Sequence, residues 1–266
     1  MLLLPNPKSR IPMNTNLQDI NTVVWKEWKE LLTLQGSARS GIMGLVVSVG
    51  VFGILLPVQL GPELVRTPSL LLFWAWVPLF LVIAVIADAF AGERERHTLE
   101  TLLATRLSDQ AILLGKIGAA LLYGWGLTLV SLVLGLVTIN IMNAVQGWTS
   151  GLILFPAMTF LGVIGASFLT AWMAAGAGVL VSLRAATVRQ AQQSLSIGVM
   201  ILLFGSIYGI RALPAATQQR LLDFVLGLGT TGLFLLAGLI LLTIVLILLF
   251  AALARFRRDK LADGQS

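Results

Sequence analysis

The residues best placed to do chemistry are an alternating run, Glu93, Arg94, Glu95 and Arg96, closed by His97. Carboxylates and guanidinium groups in alternation suit charge-assisted hydrogen bonds to another protein surface. They do not make a catalytic set. No nucleophile and base pair or metal cluster stands out, and His97, the sole histidine, lies among charged neighbours where a solvated side chain is the ordinary outcome. Gly115 and Lys116 are followed by Ile117 and lack the upstream glycine of a G-x-x-x-x-G-K-[ST] loop, so the chain is not expected to bind ATP through that cradle. With no cysteine there is no disulfide, thiol catalysis or cysteine metal site. The remaining ionisable groups in apolar runs sit at their ends, Asp88 and Lys116 at one face and Arg211 at the other. An ion-coupled carrier or proton relay normally keeps charges at membrane depth, so this distribution weighs against one.

The surrounding sequence explains how such a run is positioned. Apolar residues make up 57% of the 266-residue chain and charged residues only 11%, with a mean hydropathy of +0.92. A soluble core cannot absorb that much apolar side chain, which leaves an all-α polytopic membrane protein. Six stretches are long enough to cross a bilayer: Gly41 to Leu60, Ser69 to Ala91, Ala111 to Ile139, Leu152 to Leu183, Leu195 to Leu213, and Gly229 to Ala254. The third and fourth are long enough to tilt or project. The island from Gly92 to Lys116 must then sit in water at a membrane face. Within it Leu99, Leu102, Leu103 and Leu107 recur at helical spacing, with Glu100, Thr101 and Thr105 on other faces, so a short surface helix over about 93–107 is expected, with Thr98 as a candidate cap. Ser108 and Asp109 resemble the cap of the next span.

Residues 1–14 form a polar, proline-broken tail, and the three leucines before Pro5 are too short a run for a cleaved signal, so the first span should serve for insertion; Met13 is an alternative start. Residues 15–36 read as an amphipathic helix. Thr15 and Gln18 have capping-box spacing, Leu17, Ile20, Val24, Trp28 and Leu31 share a face, and Lys26 and Glu30 form an i, i+4 pair. Trp25, Lys26, Trp28 and Lys29 suit a helix lying in lipid headgroups, although the same pattern fits a soluble helix packed on a partner. The membrane domain covers 37–256 and a basic tail 257–266. If the N-terminus is cytoplasmic, every Lys and Arg except Arg66, Arg211 and Arg220 faces the cytoplasm, and so do both termini and the island. That asymmetry accounts for the net charge of +6 without nucleic acid.

Between the last two spans, residues 209–228 are too apolar for a free outer loop. They read either as a short re-entrant helix pair dipping into the outer leaflet or as a plain amphipathic outer helix. Gly162, Ala166, Thr170, Ala174 and Gly178 repeat every four residues, a ridge of small side chains for a dimer face or, more commonly, a neighbouring span of the same chain.

The run Glu93, Arg94, Glu95, Arg96, then Thr98, Leu99, Glu100, Leu102, Leu103, Ala104, Thr105, Ser108 and finally Leu113, Leu114, Gly115 and Lys116 resembles the cytoplasmic signature of ABC transporter permeases of the ABC-2 membrane-domain family. His97 stands where that family commonly has Gly, and Arg106 where it has Pro. The resemblance implies an exporter subunit that forms its substrate path as a homodimer or with a related permease and is driven by separate nucleotide-binding ATPase subunits that carry ATP and Mg. The chain itself would bind no cofactor. It implies residence in the plasma membrane of a prokaryote, in contact with membrane lipids, with the first, second and fifth spans along the path. Glu93, Arg94, Glu95, Arg96, Thr98, Leu99, Glu100, Leu102 and Leu103 would belong to a coupling helix, braced by the N-terminal helix, and reversing Glu93 and Glu95 to lysine would uncouple or detach the ATPase with the subunit still inserted. A self-contained carrier and a non-transport assembly protein are the other classes compatible with the chain, and the substrate is not legible.

Overall fold

The computed structural model describes residues 17–32, 46–47, 49–66, 68–98 and 105–255. Every element among them is helical. Helix α1 spans Leu17–Leu32. Helix α2 runs through a wide π-type turn, Val51–Leu55, into Leu56–Leu60. A single turn, α3, covers Glu63–Arg66. Helix α4, Pro68–Ala87, continues through a second wide turn, Asp88–Gly92, to Glu95. Helices α5, α6 and α7 span Asp109–Gln146, Ala157–Ser182 and Val188–Arg211. The last helical stretch, Ala215–Arg255, breaks at Gly229, whose φ of 63° and ψ of 178° are not helical. Glycine adopts such a backbone without a Cβ penalty. The break separates α8, residues 215–228, from α9, Thr231–Arg255.

Five helices among the described residues are long and apolar enough to cross a membrane: Trp74–Glu95, Asp109–Gln146, Ala157–Ser182, Val188–Arg211 and Thr231–Arg255. The expected first span is only partly described. Its apolar helix, Val51–Leu60, is shorter than a crossing requires, and residues 41–45 lie outside the described residues, as do the tails 1–14 and 257–266 and the capping position Thr15. A second expectation needs correcting. The span expected to stop at Ala91 runs on to Glu95, so Glu93, Arg94 and Glu95 are the final turn of a membrane helix and not the start of a separate surface helix. Residues 99–104, which Thr98 was expected to cap, lie outside the described residues. Thr98 closes the preceding helix, since its amide and hydroxyl both donate to the Glu93 carbonyl, at 2.8 and 3.2 Å. Ser108 does cap α5, accepting from the Ala111 amide at 3.1 Å. Between α7 and α9 there is one helix, α8, and not a pair.

The core lies where α4, α5 and α6 meet. Val82, Ile86, Ile112, Ile117, Ala120, Ala171, Ala175 and Val179 are all fully or almost fully buried there. Small residues let the helices approach. A Cβ on Gly124 would strike Val82, and one on Gly178 would strike Ile86. Pro78 cannot donate to the helical ladder, and in the turn before it the Ala75 carbonyl accepts from the Thr170 hydroxyl on α6. Gly162 faces Phe234, and fourteen residues on in each helix Gly176 faces Leu248, so α6 and α9 run in the same direction. The ridge is therefore filled within the chain: Gly162 by α9, Thr170 and Gly178 by α4, while Ala174 is buried in the core and Ala166 is half-buried.

Successive helices alternate between two ends. At one end Gly61 packs under Trp148, and Asn140 and Asn143 tie the 147–156 connection to α5, bonding Ile153, Thr149 and Gly151. The other end gathers α1, residues 88–98, the start of α5 and the 183–187 connection. At 1.5 Å per residue α5 is about 57 Å long, well beyond a hydrocarbon core of about 30 Å. Part of it therefore extends past the apolar layer, and α1 packs on its first turns at Gly115 and Gly118.

Candidate functional site

The charged run sits where α4 ends, and four successive side chains go to four different places. Glu93, only 5% exposed, accepts from Lys116 of α5 at 2.8 Å and from Lys26 of α1 at 3.1 Å. Arg94 donates to the carbonyls of Leu183 at 2.8 Å and Ala185 at 3.0 Å, just past the end of α6, where unpaired carbonyls and the negative end of the helix favour a cation. Glu95 accepts from the Val188 amide at 3.0 Å, at the positive end of α7. Arg96 pairs back to Asp88 at 3.5 Å, one turn and a wide bend earlier.

Lys116 is the centre of the arrangement. It is 1% exposed, lies 2.7 Å from Glu27 and 2.8 Å from Glu93, and its ammonium sits 5.6 Å from the centre of the Phe90 ring. A buried cation is tolerable only if paired and hydrogen-bonded, and here two carboxylates from different helices share it. Lys26 closes the outer side of the cluster, reaching Glu93, Glu27 and Glu30 at 3.1, 3.4 and 3.2 Å. Partial burial works against the charge on Lys26, but the carboxylates of Glu27, Glu93 and Glu30 outweigh it and raise its pKa above the ordinary lysine value. That raised value keeps Lys26 charged throughout the neutral range.

Helix α1 is placed by this contact. Its packed face is centred on Val23, 2% exposed, and Glu27, 8% exposed, a rotation from the expected Leu17, Ile20, Val24, Trp28 and Leu31 stripe. Val23 lies so close to Gly115 that a Cβ there would be 2.5 Å from that of valine, and Val24 approaches Gly118. Leu17 and Trp25 are left 79% and 73% exposed, Lys29 is exposed and Trp28 half-buried. An acidic residue in step with Val23 and Leu31 was the signal for Glu27: a carboxylate in an apolar stripe calls for a buried partner.

The expectation that Glu93, Arg94, Glu95 and Arg96 are all exposed is thus corrected. Glu93 is buried and Arg94 half-buried, both bonded inside the chain, whereas Glu95, Arg96, His97 and Thr98 form an exposed tip. Reversing Glu93 would set a third cation against Lys26 and Lys116 and disturb folding, so it cannot report on coupling alone. Leu99, Glu100, Leu102 and Leu103 lie outside the described residues. Leu107 beyond them packs partly buried against the core. Among the described residues there is no cluster of His, Asp or Glu suited to a metal.

The sequence profile of ABC-2 family transporter proteins matches residues 21–228, from within α1 through the charged elbow to the end of α8. The chain belongs to the ABC-2 transporter family. No curated protein matches it. For this ABC-2 permease the departure at His97 has a structural correlate: its φ of 57° is the only positive value at a non-glycine position among the described residues. A left-handed backbone favours glycine, the residue the family commonly has there. His97→Gly is accordingly expected to be tolerated or to raise stability by about 1 kcal/mol, whereas β-branched His97→Val should lower it. Thermal unfolding of the detergent-solubilised variants checks the order Gly, His, Val.

Proposed function

We propose that this ABC-2 permease is the transmembrane subunit of an ATP-driven exporter, paired with a second copy or a related permease and docked on separate ATPase subunits. The observation that carries this reading is the construction of the elbow. Its base is buried and ion-paired to α1 and α5, while Glu95, Arg96, His97 and Thr98 project at the same end as a polar tip. A rigid base with an exposed charged tip suits a partner that pushes. ATP and Mg belong on that partner, since this sequence has no phosphate cradle of its own.

The positive-inside asymmetry supports a prokaryotic plasma membrane location with the elbow and both termini cytoplasmic. It follows that Gly61, Trp148 and α8 mark the outer side. Helix α8, with Leu221, Leu222, Phe224 and Leu226 exposed, then lies in or against the outer leaflet. On α1, exposed Trp25 with neighbouring Lys29 suits lipid headgroups. The two-fold partner and the substrate path fit α2 and α7. Helix α7 buries only Ala191 and Leu195, and Gly198, Gly205 and Gly209 have open space where a Cβ would be.

The deciding experiment is purification from the native membrane. The chain alone should hydrolyse no ATP and should co-purify with a nucleotide-binding subunit whose hydrolysis drives transport in proteoliposomes. Ion-driven transport by the chain alone would instead make it a secondary carrier. A chain with neither a nucleotide-binding partner nor transport would be an assembly protein.

A further inference from the structure

Covalently, the elbow joins only α4 and α5. Helix α1 belongs to the chain ahead of the first span, and without another tie a displacement at residues 93–98 would pass it by. The cluster around Lys116 supplies that tie. The ammonium holds Glu27 of α1 at 2.7 Å and Glu93 of the elbow at 2.8 Å, with almost no solvent access. Sliding is blocked beside it, because Val23 of α1 sits in the notch at Gly115 and the Ile20 carbonyl is 3.2 Å from where a Cβ of residue 115 would lie. Lys26 adds a second bond from α1 to the same Glu93 oxygen. On the far side of the elbow, Arg94 and Glu95 grip the connection between α6 and α7.

We propose that Glu27 and Lys116 are positioning residues that make α1 move with the elbow as one body, so that a push on the exposed tip reaches the first span through α1 as well as the spans it joins directly. This rests on the exporter reading above for its consequence, but the mechanical tie does not need an ATPase to be observed. Packed interfaces and networks with discrete arrangements transmit rigid-body displacements, whereas an untethered helix does not follow.

Glu27→Gln is the informative change, because it replaces the charged acceptor that Lys116 finds on α1 with a neutral amide, leaves Lys116 its Glu93 partner, and makes Lys26 to Glu93 the one ion pair among the described residues still joining α1 to the elbow. The chain has no cysteine, so spin labels can be placed at Trp25→Cys and Ala186→Cys, both at exposed positions. In the isolated permease in nanodiscs, the 25 to 186 distance should be single and narrow, and in Glu27→Gln it should broaden or split. In the complex with its ATPase, that narrow distance should persist from the nucleotide-free to the ATP-trapped state, and Glu27→Gln should lower transport per ATP hydrolysed about tenfold. A purely structural defect would lower transport and hydrolysis together, leaving their ratio fixed. An unchanged distribution in Glu27→Gln, a fixed ratio, or a distance that changes between nucleotide states in the unmodified chain would each overturn the proposal. Absence of any ATPase partner would count against the exporter reading, while the nanodisc distances would still decide the tie.

Discussion

Lys116→Met should be among the most damaging single substitutions in this permease, at roughly 3–5 kcal/mol, because it removes the cation from a buried set and leaves its carboxylates behind. Methionine fills nearly the same volume, so packing is not the cause. Glu27 and Glu93 are 8% and 5% exposed, and without Lys116 they would share only Lys26, whose side chain is 43% exposed. Two carboxylates cannot both stay ionised in that setting without cost. Glu27→Gln should be milder, since Lys116 retains Glu93, and combining it with Lys116→Met should cost less than the two changes summed. Thermal unfolding in detergent gives the order. A Lys116→Met protein within about 1 kcal/mol of the unmodified chain would show that the cluster is not held as a buried pair.

The second large effect is expected at Gly115. A methyl group there would lie 2.5 Å from the Val23 Cβ and 3.2 Å from the Ile20 carbonyl. Neither atom can rotate away, since a Cβ and a carbonyl move only with their backbone. Gly115→Ala should therefore push α1 off α5, stretch the bond from Lys116 to Glu27, and cost about 1–3 kcal/mol. Gly178→Ala should cost a similar amount, because the nearest obstacle is the Cγ2 methyl of Ile86, a fully buried β-branched side chain that its helix holds in one preferred χ1 rotamer. Gly165→Ala, with nothing within 4 Å, should be neutral or slightly favourable. Unfolding midpoints near the unmodified value for Gly165→Ala and well below it for both Gly115→Ala and Gly178→Ala are the expected result, and three equal midpoints would contradict it.

Local pattern revealed what depends on local pattern. The apolar runs marked the membrane helices, the four-residue repeat from Gly162 to Gly178 marked a close-packed face, and spacing alone gave the Lys26 to Glu30 pair and the Ser108 cap. The elbow was harder because its contacts are distant in sequence. Arg94 meets Ala185 across 91 positions and Glu95 meets Val188 across 93, and no periodicity encodes such pairings. The charge of Glu93 suggested water, while tertiary structure put it beside a buried lysine. The same limit hid the true face of α1: its eight apolar positions fit more than one helical stripe, and Gly115, seen as part of a family motif, is also the notch that selects Val23. At Arg96 and His97 the chain leaves the helix through a left-handed residue, a choice that a histidine gives no reason to expect.

The sidedness of the elbow is decisive, since an ATPase can push only from the cytoplasm. In a chain without native cysteine, Arg106→Cys at the elbow end and Ser150→Cys at the opposite end are both exposed and can be labelled one at a time with a membrane-impermeant maleimide. Position 150 should react in intact cells and position 106 only after permeabilisation; labelling of position 106 in intact cells would contradict the assignment of this surface to the motor.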